Sequence, residues 1–296
     1  MIIAVTGSNG AIAKKLIPFL ENCGHEIIKI STSLTPNSQS TFSYKELQSQ
    51  NILKKVDLFI HLASFNSNLK KDSMEEEVDL TRIVLASMPA MHCSKLIFFS
   101  SCKVYGDNDT TLVSYDETHP ANPECSYGKA KLECESLIIA DQANSNLSSI
   151  IFRLPPVLNE SNGSNLAKLM MFARKKNPIL SFAEGETNQR SFISFNNIEL
   201  VMKYILDNPS FIQDSQVFNL ADDSSISLHD LLRALSGKDI YIAPKMISRL
   251  VFRAPFLKQF LLKLYGNFVI DNSKLQNEMD VKLASTRQLL VKGETI

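Results

Sequence analysis

The chain has no surplus of either charge. Acidic and basic residues number 31 each, so no global field draws it to nucleic acid, and steering is left to local patches. The five cysteines, Cys23, Cys93, Cys102, Cys125 and Cys134, form no CxxC pair and have no histidine at metal-ligand spacing. Such a set argues against a disulfide framework and a metal site, and fits reduced thiols. No run approaches the roughly 20 apolar residues of a membrane span. The sequence enters MIIAV at once, with no room for the charged and apolar regions of a signal peptide, so a cytoplasmic protein is expected. Low-complexity segments and internal repeats are also missing.

What is present is a globular pattern. Apolar residues make up 44% of 296, enough for a sizeable core in one large domain or a domain with a smaller appendage. IIAV at residues 2 to 5 is a short β-branched run stopped by TGSNG, and AIAKKLIPFLENCG then carries apolar residues at helical spacing. HEIIKIS, VDLFIHLAS, KLIFFSS and SSIIFRL read as further strands, with helices predicted near 72–90 and 126–144. Apolar strands alternating with helices predict an α/β fold: a Rossmann-type, doubly wound parallel sheet buried on both faces.

STSLTPNSQSTFS reads as a loop with at most a stub of strand. Past residue 155 the rhythm changes. SNLAKLMMFARKK and ISLHDLLRALSG read as helices, RSFISF and QVFNLA as strands, and the last sixty residues as helix-rich. The expected organisation is a dinucleotide-binding domain over 1–155 and a smaller, mixed α/β substrate domain over 156–296. The segment near 192–222 is a candidate to return to the first.

TGSNGAIA places Gly7 at the end of the first strand, Gly10 in the turn and Ala13 where a third small residue allows close helix packing. Gly7 permits a tight turn, Gly10 lets backbone approach a pyrophosphate, and the following helix offers free N–H groups and its positive dipole end. A purely steric role for these glycines is the blander reading. An NAD site usually adds an acidic residue after the second strand, yet Ser31, Thr32 and Ser33 stand there. No carboxylate repels a 2′-phosphate, and Lys29 is close in sequence, which tilts the expected cofactor, NAD or NADP, toward NADP.

SYGKAK sets Tyr127 and Lys131 four residues apart on a predicted helix, on one face and about 5 to 6 Å apart at Cβ. A tyrosine titrates near about 10, and a neighbouring ammonium lowers that value toward neutrality. Tyr127 can then exchange a proton with a substrate hydroxyl while hydride moves at the same carbon. Alone, such a pair is a common surface feature. Together with the glycine turn and the Ser-Ser ending KLIFFSS, it resembles an extended short-chain dehydrogenase/reductase of the NAD-dependent epimerase/dehydratase family. The resemblance runs from TGSNGAIA through IHLAS, SSCKVYG, YGKAK and RLPPV to RSFISFNNI.

That resemblance implies specific roles. Ser101 matches the residue that hydrogen-bonds the reacting oxygen, Tyr127 the acid–base catalyst, and Lys131 the residue that lowers the tyrosine pKa and holds the nicotinamide ribose. Gly7, Asn9, Gly10, Ala11 and Ile12 match the phosphate turn. Ser31 and Thr32 lie by the adenine ribose, and Leu62, Ala63 and Ser64 line the cofactor's path with Ser100 and Pro155. Ser101, Lys103, Tyr127 and Arg190 fall to the substrate, Arg190 as the fork that binds a nucleotide-sugar pyrophosphate. A structural salt bridge is the blander reading of Arg190. Glu77 stands where many relatives carry Asn, and the region near Tyr44 lacks the usual Asp that meets adenine.

Dehydratases of the family follow the catalytic Ser/Thr with Asp and Glu; here Cys102 and Lys103 cannot supply that acid–base pair. Cys102 is also one position early for the cysteine of the 3,5-epimerase/reductases, and reads as a packed small residue. Two reactions remain open. One is a nucleotide-sugar 4-epimerase, with reversible hydride transfer at C4 through a 4-keto sugar; the other is an NADPH-dependent 4-keto-sugar reductase. The bulk of the family puts the epimerase first by a narrow margin, and both kinds serve surface-polysaccharide synthesis. From another class, a catalytically silent dinucleotide-binding sensor is opposed by the retained Ser101, Tyr127 and Lys131. The resemblance further implies a UDP-linked substrate and allows a homodimer. Lys245 to Lys263, basic and apolar, reads as helices packed on the C-terminal part rather than lying on an anionic membrane.

Overall fold

The structure is a computed structural model that describes residues 1–32, 40–49, 54–64, 74–106, 114–159, 165–174, 179–213, 216–244, 246–247, 251, 253, 261 and 265–291. The strands in chain order are β1 (Ile2–Thr6), β2 (Glu26–Ser31), β3 (Thr41–Ser43), β4 (Leu58–His61), β5 (Lys95–Ser101), β6 (Ser114–Tyr115), β7 (Ser148–Leu154), β8 (Ile179–Ser181), β9 (Gln216–Asn219), β10 (Ile240–Ile242) and β11 (Val269–Ile270). The helices are α1 (Ala13–Asn22), α2 (Tyr44–Gln48), α3 (Met74–Ser87), α4 (Ser126–Asn144), α5 (Asn165–Arg174), α6 (Glu184–Thr187), α7 (Phe195–Asp207), α8 (Leu228–Ser236), α9 (Ser273–Met279) and α10 (Thr286–Val291). The chain divides into two compact units. The first takes residues 1–106, 121–153 and 201–218, and the second 107–120, 154–200 and 219–296.

The first unit is built on a seven-stranded parallel sheet of order β3-β2-β1-β4-β5-β7-β9. Its strands are apolar without alternation because helices cover both faces. All four residues of β4 are buried, and Leu96, Ile97 and Phe98 in β5 are fully so. Each such side chain removed from water stabilises the fold by about 1.5 to 3 kcal/mol. In α1, Ala13, Leu16, Ile17 and Leu20 are the buried stripe, spaced as a 3.6-residue period demands. Strand order reverses at β1, which pairs with β2 on one side (Thr6 opposite Ile30) and β4 on the other (Thr6 opposite His61). The loops leaving β1 and β4 at that reversal bound the crevice where open α/β sheets take ligands.

The second unit holds the parallel pairs β8 with β10 and β6 with β11, and a core that includes Leu158, Met170, Phe192, Ile226, Leu231 and Leu290. The expected helix ISLHDLLRALSG is α8, capped by Ser227, whose Oγ accepts from the Asp230 amide at 3.0 Å. RSFISF departs from expectation. It is not a ladder strand: Arg190 and Ile193 make isolated bridges, and Phe195 already opens α7. Asp222 explains the departure. Its carboxylate accepts from the Ser194 amide (2.8 Å), Ser194 Oγ (2.9 Å) and Asn197 Nδ2 (2.7 Å), turning the chain into a helix where a strand would have continued. Most of Lys245–Lys263 lies outside the described residues, as does Ser33. No described helix is long and apolar enough to cross a membrane.

Candidate active site

The first site element is the turn after β1. Gly7 has φ +66°, and a Cβ there would stand 2.7 Å from both Cα and N of Ala63. Glycine is therefore required twice over, by conformation and by the approach of the Leu62–Ala63 backbone. Gly10 N donates to Gly7 O at 2.8 Å, closing the turn ahead of α1. Ile12 offers no capping side chain and the first turn of α1 holds no acid. Lys14 N and Lys15 N already donate to Gly10 O (3.0 Å) and Ile12 O (3.1 Å), so what this end offers a pyrophosphate is the positive end of the helix dipole with no carboxylate to neutralise it. Asn9 and Gly10 are exposed there, with Ala11 and Ile12 half-buried behind them.

At the end of β2, Ser31 is buried and its Oγ accepts from Asn9 Nδ2 at 2.9 Å, which ties the glycine turn to the neighbouring strand. Thr32 is exposed. Lys29 pairs with Glu21 of α1 at 2.9 Å, so its charge is already answered within the fold. At the end of β4, Ala63 is buried and Ser64 exposed.

The second element joins β5 to α4. After Ser101 the chain enters a single 3₁₀ turn, Cys102–Tyr105, whose Lys103 amide donates to Ser101 Oγ at 3.2 Å. Cys125 caps α4, accepting from the Gly128 amide at 3.4 Å. Gly128 is where the two segments meet, because a Cβ there would lie 2.5 Å from the Lys103 carbonyl oxygen. Ser101, Lys103, Tyr127 and Lys131 are thus brought to one place at the sheet's C-terminal edge. Cys102 is only 1% exposed and its thiol donates to the Arg153 carbonyl at 3.3 Å, as the packed-residue reading expects.

Sequence reasoning did not find the electrostatics beneath this surface. Lys131 is buried; its Nζ lies 2.9 Å from Glu77 Oε1 of α3, donates to Phe99 O at 3.2 Å, and sits 4.7 Å from the Phe98 ring centroid. Burial pulls the Lys131 pKa down, but the Glu77 carboxylate, with Tyr127 and Cys134, outweighs it and holds the ammonium above its ordinary range. Beside it, His61 is fully enclosed between Thr6 Oγ1 (2.6 Å) and Thr81 Oγ1 (3.0 Å). Burial and the Lys131 charge push its pKa down to about 3, so the ring is neutral.

A second buried pair braces α4 against β7. Arg153 Nη2 lies 2.7 Å from Glu135 Oε2, its guanidinium carbon is 4.9 Å from the Tyr105 ring centroid, and Ser100 Oγ donates to Glu135. Ser100, expected near the cofactor, thus spends its hydroxyl on this brace. A signal for it existed: Arg153 inside the apolar SSIIFRL needs a partner, and Glu135 follows Lys131 by one helical turn. Pro155 and Arg190 belong to the second unit. Pro155 is buried; Arg190 is half-buried, donates from Nη1 to Gly266 O at 3.5 Å, and has its pKa brought down to about 10 by burial.

A glycine turn at the switch point of a parallel sheet, with Ser101, Tyr127 and Lys131 in the same unit, is the arrangement of a dinucleotide-binding fold. The model of the NAD dependent epimerase/dehydratase family matches residues 3–221. A Vibrio cholerae UDP-glucose 4-epimerase is 26% identical over 248 residues, covering 79% of this chain and 74% of that protein. An Escherichia coli O157:H7 N-acetyl-alpha-D-glucosaminyl-diphospho-ditrans,octacis-undecaprenol 4-epimerase is 30% identical over 155 residues, 51% of this chain and 44% of its own. Among solved structures, Bacillus cereus UDP-N-acetylglucosamine 4-epimerase superposes with a TM-score of 0.76 at 17% identity, covering 99% of this chain and 97% of its own. Bacillus cereus UDP-glucuronic acid 4-epimerase, solved with UDP-glucuronic acid and NAD, gives 0.75 at 18% identity, covering 100% and 98%. The chain belongs to the NAD-dependent epimerase/dehydratase family, and is an NAD(P)-dependent enzyme of it.

Proposed function

We propose that the protein is a nucleotide-sugar 4-epimerase. When bound, NAD(P) supplies the acceptor and donor of the hydride at sugar C4. Tyr127 takes the O4 proton as the carbon is oxidised and returns it after the 4-keto sugar has turned its other face. Ser101 Oγ hydrogen-bonds the same oxygen, and the Lys131 ammonium favours the tyrosinate that this exchange requires. The phosphate turn, with Gly7, Asn9, Gly10, Ala11 and Ile12, holds the pyrophosphate of the dinucleotide, and Leu62, Ala63, Ser64 and Pro155 flank it. Arg190 in the 156–296 domain takes the diphosphate of a UDP-linked sugar, a substrate supported by the names of the relatives. The setting proposed is the cytoplasm.

The observation that carries this reading is the placement of Cys102: buried and bonded to the Arg153 carbonyl, it leaves the Ser101 turn with no carboxyl pair to remove water from a sugar. A second reading, the NADPH-dependent 4-keto reductase, is favoured by one feature, the hydroxyl residues Ser31 and Thr32 where a ribose-binding carboxylate would stand. Two measurements decide between them. The dinucleotide released on denaturing the purified protein is identified, and UDP-glucose, UDP-N-acetylglucosamine and UDP-glucuronic acid are followed by NMR for inversion at C4. Inversion without added cofactor supports the epimerase; NADPH oxidation by a 4-keto sugar, with no inversion, supports the reductase. Tyr127→Phe should lower kcat by about 10²- to 10⁴-fold, and an unchanged rate would return the protein to the silent sensors.

A further inference from the structure

Two of the three Lys131 N–H bonds are taken by described residues, Glu77 Oε1 at 2.9 Å and Phe99 O at 3.2 Å, which leaves one for a ligand. Both partners of the ion pair are only 1% exposed, so solvent does not screen it. Apart from Tyr127, whose ring centroid lies 6.0 Å from Lys131 Nζ, the titratable groups packed around it are uncharged at neutral pH. His61 of β4 is held down to about 3 by burial and by Lys131, and Cys134 of α4 is pushed up to about 11, chiefly by burial. Burial also raises Tyr44 of α2, with the Glu77 charge adding to it. Among these groups the only opposite charges that face each other are those of Glu77 and Lys131.

We propose that Glu77 is a positioning residue that fixes the Lys131 ammonium and offsets part of its charge, and thereby sets the balance between oxidised and reduced nicotinamide. The inference rests on the proposed function and on the role the family resemblance implies for Lys131, holding the nicotinamide ribose. Oxidised nicotinamide carries a positive charge and the reduced ring none. A lone buried ammonium would repel the oxidised form alone, and a partly compensated one repels it less. Glu77 thus favours the oxidised state from which an epimerase must begin each turnover. A counter-ion whose role was only to stabilise the fold would leave this balance unmoved.

The test uses the full-length chain freed of any bound dinucleotide, titrated calorimetrically with NAD⁺ and NADH and in parallel with NADP⁺ and NADPH. Glu77→Gln keeps the shape and removes the charge. It should lower the ratio of oxidised to reduced affinity by about tenfold, as one unscreened charge at short range does in a partly buried site. Since Lys131 is then left unpaired, thermal melting checks the fold, and the double variant Glu77→Gln with Lys131→Met restores neutrality. Its ratio should return to within about threefold of the parent, because a lost ribose contact weakens both forms alike. An unchanged ratio in Glu77→Gln, or a double variant that stays with the single one, overturns the proposal. A parent protein that binds none of the four dinucleotides overturns the proposed function itself, and the inference falls with it.

Discussion

Gly128 and Lys103 are in direct backbone contact: any Cβ at position 128 would come within 2.5 Å of the Lys103 carbonyl oxygen. The obstacle is main chain, which cannot swing aside, so Gly128→Ala must push the start of α4 away from the turn that carries Ser101. Tyr127, one residue before, moves with it. A displacement of about 1 Å at a reacting group costs about 100-fold in rate, and the overpacking costs about 1 to 3 kcal/mol of stability. Steady-state kinetics should show kcat falling by about that factor while dinucleotide affinity changes less than threefold. Equal losses in both would mean that α4 unravels instead of shifting.

Gly7→Ala should have the complementary effect. With φ at +66° and Ala63 backbone 2.7 Å from a Cβ, the substitution is strained in conformation and in space. The turn must open, and the α1 amides lose their alignment. Dinucleotide affinity, measured by calorimetry, should fall by at least about tenfold, with a loss of about 1 to 3 kcal/mol in denaturant unfolding. A variant that binds as tightly as the parent would remove the turn from the cofactor site.

The sheet was legible because its strands announce themselves. KLIFFSS and SSIIFRL coincide with β5 and β7, since a run buried on both faces is apolar throughout and is cut off by polar turn residues. Tyr127 and Lys131 were legible because helical spacing alone puts them on one face. RSFISF was misread because its strand-like pattern says nothing of Asp222, 28 residues beyond Ser194, which takes the amide and turns the chain into α7. Glu77 and Glu135 were missed as partners for the same reason. A buried acid in sequence looks like any acid on a helix; Arg153 in an apolar strand calls for a partner, but only the tertiary approach of α3 and β7 to α4 shows which acid meets which cation.

The Glu135–Arg153 pair provides a stability test that is independent of the ligand. Side-chain exposure is 2% for Glu135 and 9% for Arg153, so removing one partner strands the other's charge in the core. Glu135→Leu should cost about 3 to 5 kcal/mol in urea unfolding. Replacing both, with Glu135→Leu and Arg153→Met, should recover most of that loss, because a buried pair contributes little beyond an apolar pair of similar volume. If the double variant is no more stable than the single one, the brace stabilises through Ser100 and Tyr105 rather than through charge pairing.

His61 gives the fold an acid-side weakness whose sign can be worked out. Its folded pKa is about 3, against about 6.5 for an unfolded histidine. Above the unfolded value both states are neutral and the residue contributes nothing to pH dependence. As pH falls below it, the unfolded state takes up a proton that the buried ring refuses, and stability is lost by about 1.4 kcal/mol per pH unit toward the folded value. Denaturant unfolding between pH 7.5 and pH 5 should show this slope. His61→Asn, which keeps polar atoms facing Thr6 or Thr81 but does not titrate, should be less stable at pH 7.5 and visibly flatter below pH 6.5. The same slope in both proteins would assign the acid sensitivity to another group.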